Sequence, residues 1–210
     1  GDFQIAQRSS AAVISTHGSN DDTYTTVDRF KYHLSGAAAI SSQQVSLTAA
    51  TDPVGFNYAL KIACTTADTS IAASDYVIFQ QPVEGYNWRQ FNFGLSNAKQ
   101  LTLSFWVKSN KTGTYCVAFR NNAHNRRYAA EYSISQADTW EKKSITLTGD
   151  TTGTWLSTNG GGCFVSFTLS SGSTFQVTGN TWAAGDQFST SNQVNFTDST
   201  SNTFFITGIQ

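Results

Sequence analysis

The side chains best suited to chemistry in this chain are aromatic and basic groups that lie between predicted strands. Tyr86, Trp88 and Trp155 fall in such segments, and so does the pair Arg126 and Arg127. Flat aromatic faces can stack on the apolar faces of sugar rings. The planar guanidinium of arginine matches a carboxylate. We predict that the three aromatics are exposed platforms for a neutral or mildly acidic glycan and that the arginines bind any sugar carboxylate. The alternative is that the aromatics pack in the core.

The other tryptophans are expected to serve the fold. Trp106 lies in a strand with alternating polarity and is expected to be packed, while Trp140 and Trp182 precede strands and are expected to cap the core. No site is assigned to these three residues from the sequence.

Catalytic groups are scarce. Glycoside hydrolysis needs two carboxylates flanking the bond, and Glu84 and Glu131 are candidates only if they face each other across a sheet. Glu84 is expected to be a buried, paired carboxylate. A Ser-His-Asp triad would need His17, His33 or His124, yet no G-x-S-x-G elbow is present. The chain is therefore predicted not to be an enzyme.

Metal ligands are limited to one acidic stretch. Asp21 and Asp22, with Asp28, offer the hard oxygen ligands that Ca²⁺ prefers. A structural calcium is one interpretation, and a solvated turn is the other. No other cofactor is expected. The cysteines Cys64, Cys116 and Cys163 have no zinc-type spacing, so they are interpreted as small buried hydrophobic residues.

The net charge of −1 argues against nucleic acid as a partner. One basic and aromatic spot, Arg120, Arg126, Arg127 and Tyr128, resembles a single-strand binding surface. A solvated loop that contacts a neighbouring subunit is the favoured interpretation. No apolar stretch approaches the ~20 residues of a membrane span, so membrane insertion is not expected.

Alternation of apolar and polar residues dominates the pattern and predicts β-strands. Leu101, Leu103 and Phe105 mark one face of one strand, and Val165 and Phe167 mark another. Turn signals separate these runs at the spacing of a sandwich or barrel. We predict an all-β, antiparallel, two-sheet jelly-roll-like β-sandwich in which these two faces pack together, formed as a single domain over residues 1–210.

Six short motifs, in order, resemble a jelly-roll domain of bacteriophage tail and fibre proteins, which is similar in architecture to carbohydrate-binding modules. They are GDFQIAQR (1–8), YTTVDRF (24–30), FQQPVEG (79–85), LTLSFWVK (101–108), TWEKK (139–143) and FFITGIQ (204–210). The second motif has Phe30 where the family pattern has Trp.

The resemblance implies a virion structural or adhesin domain of a tail, fibre or decoration protein, exposed on the virion surface and able to bind a host glycan. It also implies self-association, as a homotrimer, contacts with other virion proteins, and membership of a longer chain. Two alternatives remain open. One is a carbohydrate-binding module attached to a polysaccharide-degrading enzyme, and the other is a decoration domain without a ligand.

Overall fold

A computed structural model of the chain describes residues 1–7 and 15–210. The described residues form thirteen strands and little helix. The strands are β1 (Ser15–His17), β2 (Asp22–Thr23), β3 (Lys31–Ser35), β4 (Ala39–Ser46), β5 (Tyr58–Thr66), β6 (Tyr76–Glu84), β7 (Leu101–Ser109), β8 (Gly113–Arg120), β9 (Arg126–Ile134), β10 (Glu141–Leu147), β11 (Gly161–Ser171), β12 (Ala183–Ala184) and β13 (Thr203–Thr207). One helical turn, α1 (Gly85–Trp88), and short 3₁₀ turns at Arg89–Phe91, Ser173–Phe175 and Phe196–Asp198 complete the elements.

The strands make two antiparallel sheets, as the alternation predicts. The six-stranded sheet has the order β1-β4-β5-β13-β7-β10, and the seven-stranded sheet has the order β12-β9-β8-β11-β6-β3-β2. Strands that are neighbours in a sheet are often distant in sequence, which is the pattern of a jelly roll rather than a meander. The predicted two-sheet sandwich is confirmed.

The core lies between the two sheets and is rich in aromatic rings. Phe105 on β7 meets Phe167 on β11 edge to face, with ring centroids 5.2 Å apart, and Phe167 stacks on Phe79 of β6 at 5.0 Å. Each fully buried Phe contributes ~1.5–3 kcal/mol through loss of apolar surface from water. The predicted packing of the Leu103 and Phe105 face against the Val165 and Phe167 face is confirmed.

A strap of residues 172–195 crosses the outer face of the seven-stranded sheet. Phe188 of the strap is almost wholly buried against Ile78 and Ala118, and Phe175 stacks on Phe188 at 4.7 Å. Its backbone also bonds to the sheet, because Thr168 Oγ1 donates to Phe188 O at 2.9 Å. This sheet is therefore covered on both faces where the strap lies.

Cys64, Cys116 and Cys163 are free thiols and are buried, which confirms their interpretation as small hydrophobic residues. Burial raises the pKa of the Cys116 thiol to about 11, so that thiol stays protonated at neutral pH. In the described part of the chain, no helix is long and apolar enough to cross a membrane.

Candidate functional site

The three predicted platforms are not equivalent in the structure. Tyr86 is exposed, with 56% of its surface accessible, and Arg89 lies over its ring at 5.6 Å. Trp88 is 4% exposed and belongs to the core, so its prediction as an exposed platform is wrong. Trp155 is half-buried and packs edge to face on Phe93 at 5.1 Å. The prediction therefore holds for the exposure of Tyr86 alone.

Close backbone packing explains the burial of Trp88. A Cβ atom added at Gly162 would lie 2.7 Å from Cβ of Trp88 and 2.7 Å from Cα of Gly85. The glycines at the start of β11 therefore let that strand press directly against α1. Trp182 closes the same end of the sandwich from the other side, with its ring 5.5 Å from Trp155, as its predicted capping role requires.

The two arginines predicted to bind a sugar carboxylate are committed within the protein. Arg126 donates from Nε and Nη2 to the two carboxylate oxygens of Asp150, at 2.8 and 2.6 Å. This bidentate bond raises the pKa of Arg126. Arg127 is 8% exposed and donates to Thr181 O at 3.4 Å. These contacts count against the predicted role of the two arginines in binding a sugar carboxylate.

The predicted calcium ligands do not converge. Asp21 lies beside His17, Asp22 pairs with Lys31 at 2.5 Å, and Asp28 accepts the backbone N–H of Gln7 at 3.2 Å. Among residues 1–7 and 15–210, no group of three or more His, Cys, Asp or Glu side chains could hold a metal ion. The solvated-turn interpretation fits these contacts, and the calcium interpretation does not.

Glu84 and Glu131 also lie far apart. Strand register places Glu131 in line with Cys116, Thr168 and Ile78, six positions along β6 from Glu84. That offset alone corresponds to ~20 Å, beyond the separation of a glycosidase pair. Glu84 is exposed, contrary to its predicted burial. Hydrogen bonds from its own backbone N–H and from the Asn87 amide lower its pKa.

One histidine does occupy a triad-like arrangement, but it is buried. His17 Nε2 lies 2.8 Å from Ser42 Oγ, and His17 Nδ1 lies 3.4 Å from Asp21 Oδ2. Ser42 and His17 are 1% and 2% exposed, so a substrate carbonyl has no route to the hydroxyl. Burial lowers the pKa of His17, partly offset by Asp21. We interpret this trio as a polar link inside the fold.

The outer face of the six-stranded sheet presents a different cleft, of about 450 Å³. Its walls include the half-buried rings of Trp106 and Trp140 together with Lys108, and the 51–54 loop forms its rim. Val54 on that rim is 96% exposed. Two indole rings, a cation and an exposed aliphatic side chain therefore share one accessible depression.

The ring of Trp140 is fixed by the 51–54 loop. Its Nε1 donates to Asp52 Oδ1 at 3.1 Å, and Asp52 Oδ2 accepts the backbone N–H of Ala49 at 2.8 Å. Trp140 also meets Phe205 edge to face at 6.3 Å. A ring held from two sides loses little conformational freedom on binding, which favours recognition. The predicted role of Trp140 as a core cap is wrong.

Register extends the cleft into a lysine–aromatic row, which we define as Lys61, Phe205, Lys108 and Trp140. Lys61 on β5 and Lys108 on β7 are both paired with Phe205 on β13 between them. The Lys108 ammonium lies 4.7 Å from the Phe205 centroid and 5.0 Å from that of Trp140, and Lys61 Nζ lies 5.7 Å from Phe205. Cations and rings therefore alternate across adjoining strands.

A sequence signal for this face was present in the alternation itself. Phe105 and Val107 point to the core, so their neighbours Trp106 and Lys108 must point outward. The contribution of Trp140 and the 51–54 loop carries no comparable signal, because Asp52 and Trp140 are distant in sequence.

A second depression of about 620 Å³ lies between the strap and Glu131. Glu131 accepts hydrogen bonds there from Thr190 and Asn192, and the lining contains no aromatic side chain. It lacks a stacking surface, so the cleft at Trp106 and Trp140 is the stronger candidate.

No family model matches the chain, and no curated protein matches it. Among solved structures, the enzymatically active domain of tailspike protein 4 of bacteriophage CBA120 is 10% identical with a TM-score of 0.47, over 87% of this chain and 19% of that one. The chain thus spans about a fifth of the tailspike domain's length.

Two carbohydrate-binding modules are similar over most of both chains. The family 11 module of the cellulase Lic26A-Cel5E of Clostridium thermocellum is 13% identical, with a TM-score of 0.43 and coverage of 92% and 94%. TmCBM61, solved with β-1,4-galactotriose, is 11% identical, with a TM-score of 0.41 and coverage of 87% and 86%.

Proposed function

We propose that this domain binds a glycan, without catalysing its cleavage, in the cleft formed by Trp106, Trp140 and the 51–54 loop. The observation that carries the proposal is the pair of partly exposed indole rings on a sheet face that residues 1–7 and 15–210 leave open. Aromatic faces supply apolar contact to a sugar ring. The Asp52 carboxylate, the Lys108 ammonium and the Thr139 hydroxyl at the same cleft can bind hydroxyl groups.

The biological setting that we propose is a virion adhesin of a tail, fibre or decoration protein, located on the particle surface. The six ordered motifs of the sequence support this setting. A shallow single cleft would bind weakly, with a Kd on the order of millimolar. A homotrimer, repeated over a particle, would raise avidity without any new contact. A module attached to a polysaccharide-degrading enzyme would use the same cleft.

The test is affinity electrophoresis of the domain through gels containing neutral and acidic polysaccharides, followed by calorimetry on any that retard it. Trp140→Ala should weaken binding by about ten-fold or more, since one wall of the cleft is lost. Trp106→Ala should act in the same direction. Both variants must unfold at a temperature close to that of the parent for the comparison to count.

Tyr86→Ala is the matched control. Tyr86 is exposed, lies outside the cleft, and is predicted from the sequence to be a stacking platform. Its removal should leave binding unchanged. If Tyr86→Ala abolishes binding while Trp140→Ala does not, the proposed location is wrong. If the parent binds no polysaccharide, the domain is a structural element without a glycan ligand.

A further inference from the structure

We propose that the open face of the six-stranded sheet selects an anionic polysaccharide, whose acidic groups are bound by the ammonium groups of Lys61 and Lys108. This inference rests on the proposed function and names the ligand class for the same surface. It follows from the positive charges on the face, from the lack of a carboxylate partner for Lys61 and Lys108 among the described residues, and from the position of their ammonium groups beside the aromatic rings.

The face concentrates positive charge in a protein whose net charge is −1. Lys61, Lys108 and Lys142 all occupy outward positions, Lys142 because it pairs with the outward Trp106. The one carboxylate of β10, Glu141, pairs with the inward Val107 instead. The strands therefore place three cations on this face without an intervening carboxylate.

These lysines have no counter-ion in the part of the chain that the structure describes. Lys31, Lys111 and Lys143 each pair with a carboxylate there, whereas Lys61 and Lys108 do not. Two carboxylates lie at the edge of the cleft. Asp52 is engaged by Trp140 and a backbone N–H, and Asp138 is exposed on the loop before Trp140.

The rings of the row hold the ammonium groups in place. Phe205 has a lysine ammonium near its ring from each side in the sheet, at 5.7 and 4.7 Å from its centroid. A cation so placed is attracted by the ring quadrupole. Neutral sugars would have to displace the ammonium groups to stack on Phe205, whereas an acidic sugar gains from leaving them there.

The geometry also suits a repeating anion. Lys61 and Lys108 flank Phe205 on its two neighbouring strands, so their backbones lie ~10 Å apart. Charge spaced along a chain polymer can engage both ammonium groups at once. A lysine ammonium is a compact point charge, unlike the planar guanidinium of arginine, so it can bind a carboxylate or a sulfate group.

The experiment compares ligands that differ in charge on one backbone. The probes are polygalacturonate against its methyl ester, alginate, dextran sulfate against dextran, and a single-stranded oligothymidylate. The acidic member of a pair should bind roughly ten-fold more tightly than the neutral one. The advantage should shrink as NaCl rises from about 0.05 to 0.5 M, because salt screens exposed charges.

Lys61→Gln and Lys108→Gln should each weaken binding of the acidic probe by about three-fold, in line with exposed ion pairs. Lys99→Gln is the matched control. Lys99 is exposed on a loop outside this face and has no ion pair among the described residues, so its loss changes net charge equally but should not change binding.

The outcomes separate the inference from the proposed function. Equal binding of neutral and acidic probes, with dependence on Trp140 but not on the lysines, overturns the inference and leaves glycan binding intact. Binding of polygalacturonate or alginate assigns carboxylate as the recognised group, and binding of dextran sulfate alone assigns sulfate. Lysine-dependent binding of the oligothymidylate with no polysaccharide bound overturns both, as does binding to no probe.

Discussion

The outer faces of the two sheets differ in how much of each is covered by other parts of the protein. On the seven-stranded sheet, Phe188 of the strap is buried against the sheet, and Arg120 beneath the strap is only 2% exposed. On the six-stranded sheet, Trp106 and Lys108 stay accessible to solvent. Large aromatic and cationic side chains thus stabilise the fold on one face and remain available to a ligand on the other.

The polar groups differ in the same way. Arg120 on the covered face donates to Asp186, Gln80 and Ser166, at 2.5 to 3.2 Å, and lies 5.1 Å from the Phe188 centroid. A buried guanidinium needs such partners, because an unpaired buried charge is very costly. The lysines of the open face need none, since water solvates them. Unpaired cations therefore cost little on an exposed face.

The largest effect that would test this contrast comes from the strap. Phe188→Ala should lower the free energy of unfolding by ~3–5 kcal/mol, since it leaves a cavity against Ile78 and Ala118. Val54→Ala, at the rim of the open cleft, should change it by less than about 0.5 kcal/mol. Chemical denaturation of both variants measures the difference. A loss below ~1 kcal/mol for Phe188→Ala would mean that the strap is not held through this residue.

The next test concerns the ion pair between Asp186 of the strap and Arg120 of the sheet beneath it. Burial by itself raises the pKa of Asp186, but the hydrogen bond from His124 and the charge of Arg120 outweigh it and lower the pKa below 3.8. A carboxyl with a lowered folded-state pKa stabilises the fold above its unfolded pKa, and that contribution is lost as pH falls through the folded value. The stabilising effect of Asp186 should therefore begin to fall near the unfolded pKa, at about pH 4, and be lost as the pH drops further through the folded-state pKa.

Asp186→Asn should cost ~1–2 kcal/mol at pH 7, less than the ~3–5 kcal/mol of a fully buried pair, because Asp186 is partly exposed. Denaturation of parent and variant from pH 7 to pH 3 should show the two free energies converging in acid. A constant difference across that range would show that the charge of Asp186 is not what stabilises Arg120.

The contrast between the faces also shows what the sequence can and cannot reveal. Alternation is a local property, so it predicted the two-sheet sandwich and the inward face of Phe105 and Phe167. It could not show that Trp88 would be buried, because that depends on β11 pressing against α1 through Gly162. Nor could it show that Arg126 forms a bidentate ion pair with Asp150, since the two residues are far apart in the chain.

The basic pair Arg126 and Arg127 shows a similar limit of sequence-based prediction. The sequence pattern predicted that Arg126 and Arg127 lie in the loop before β9, but both residues are the first residues of β9 itself, paired with neighbouring strands. The sequence also does not say which way each side chain points. Surface residues in a loop and residues that anchor a loop share the same polar composition. Only tertiary contacts, such as those of Asp150 with Arg126 and Trp155, separate the two cases.

The last test compares two neighbouring residues within one strand. Phe105 and Trp106 are neighbours on β7 and point to opposite faces, and Phe105 is fully buried while Trp106 is half-buried. Phe105→Ala should cost ~3–5 kcal/mol of unfolding free energy. Trp106→Thr should cost less than ~1 kcal/mol, because threonine suits an exposed strand position and no cavity forms in the core. Denaturation curves with unchanged slopes would make the two values comparable. If Trp106→Thr proves as damaging as Phe105→Ala, Trp106 is part of the fold after all, and the open face loses one of its two stacking walls.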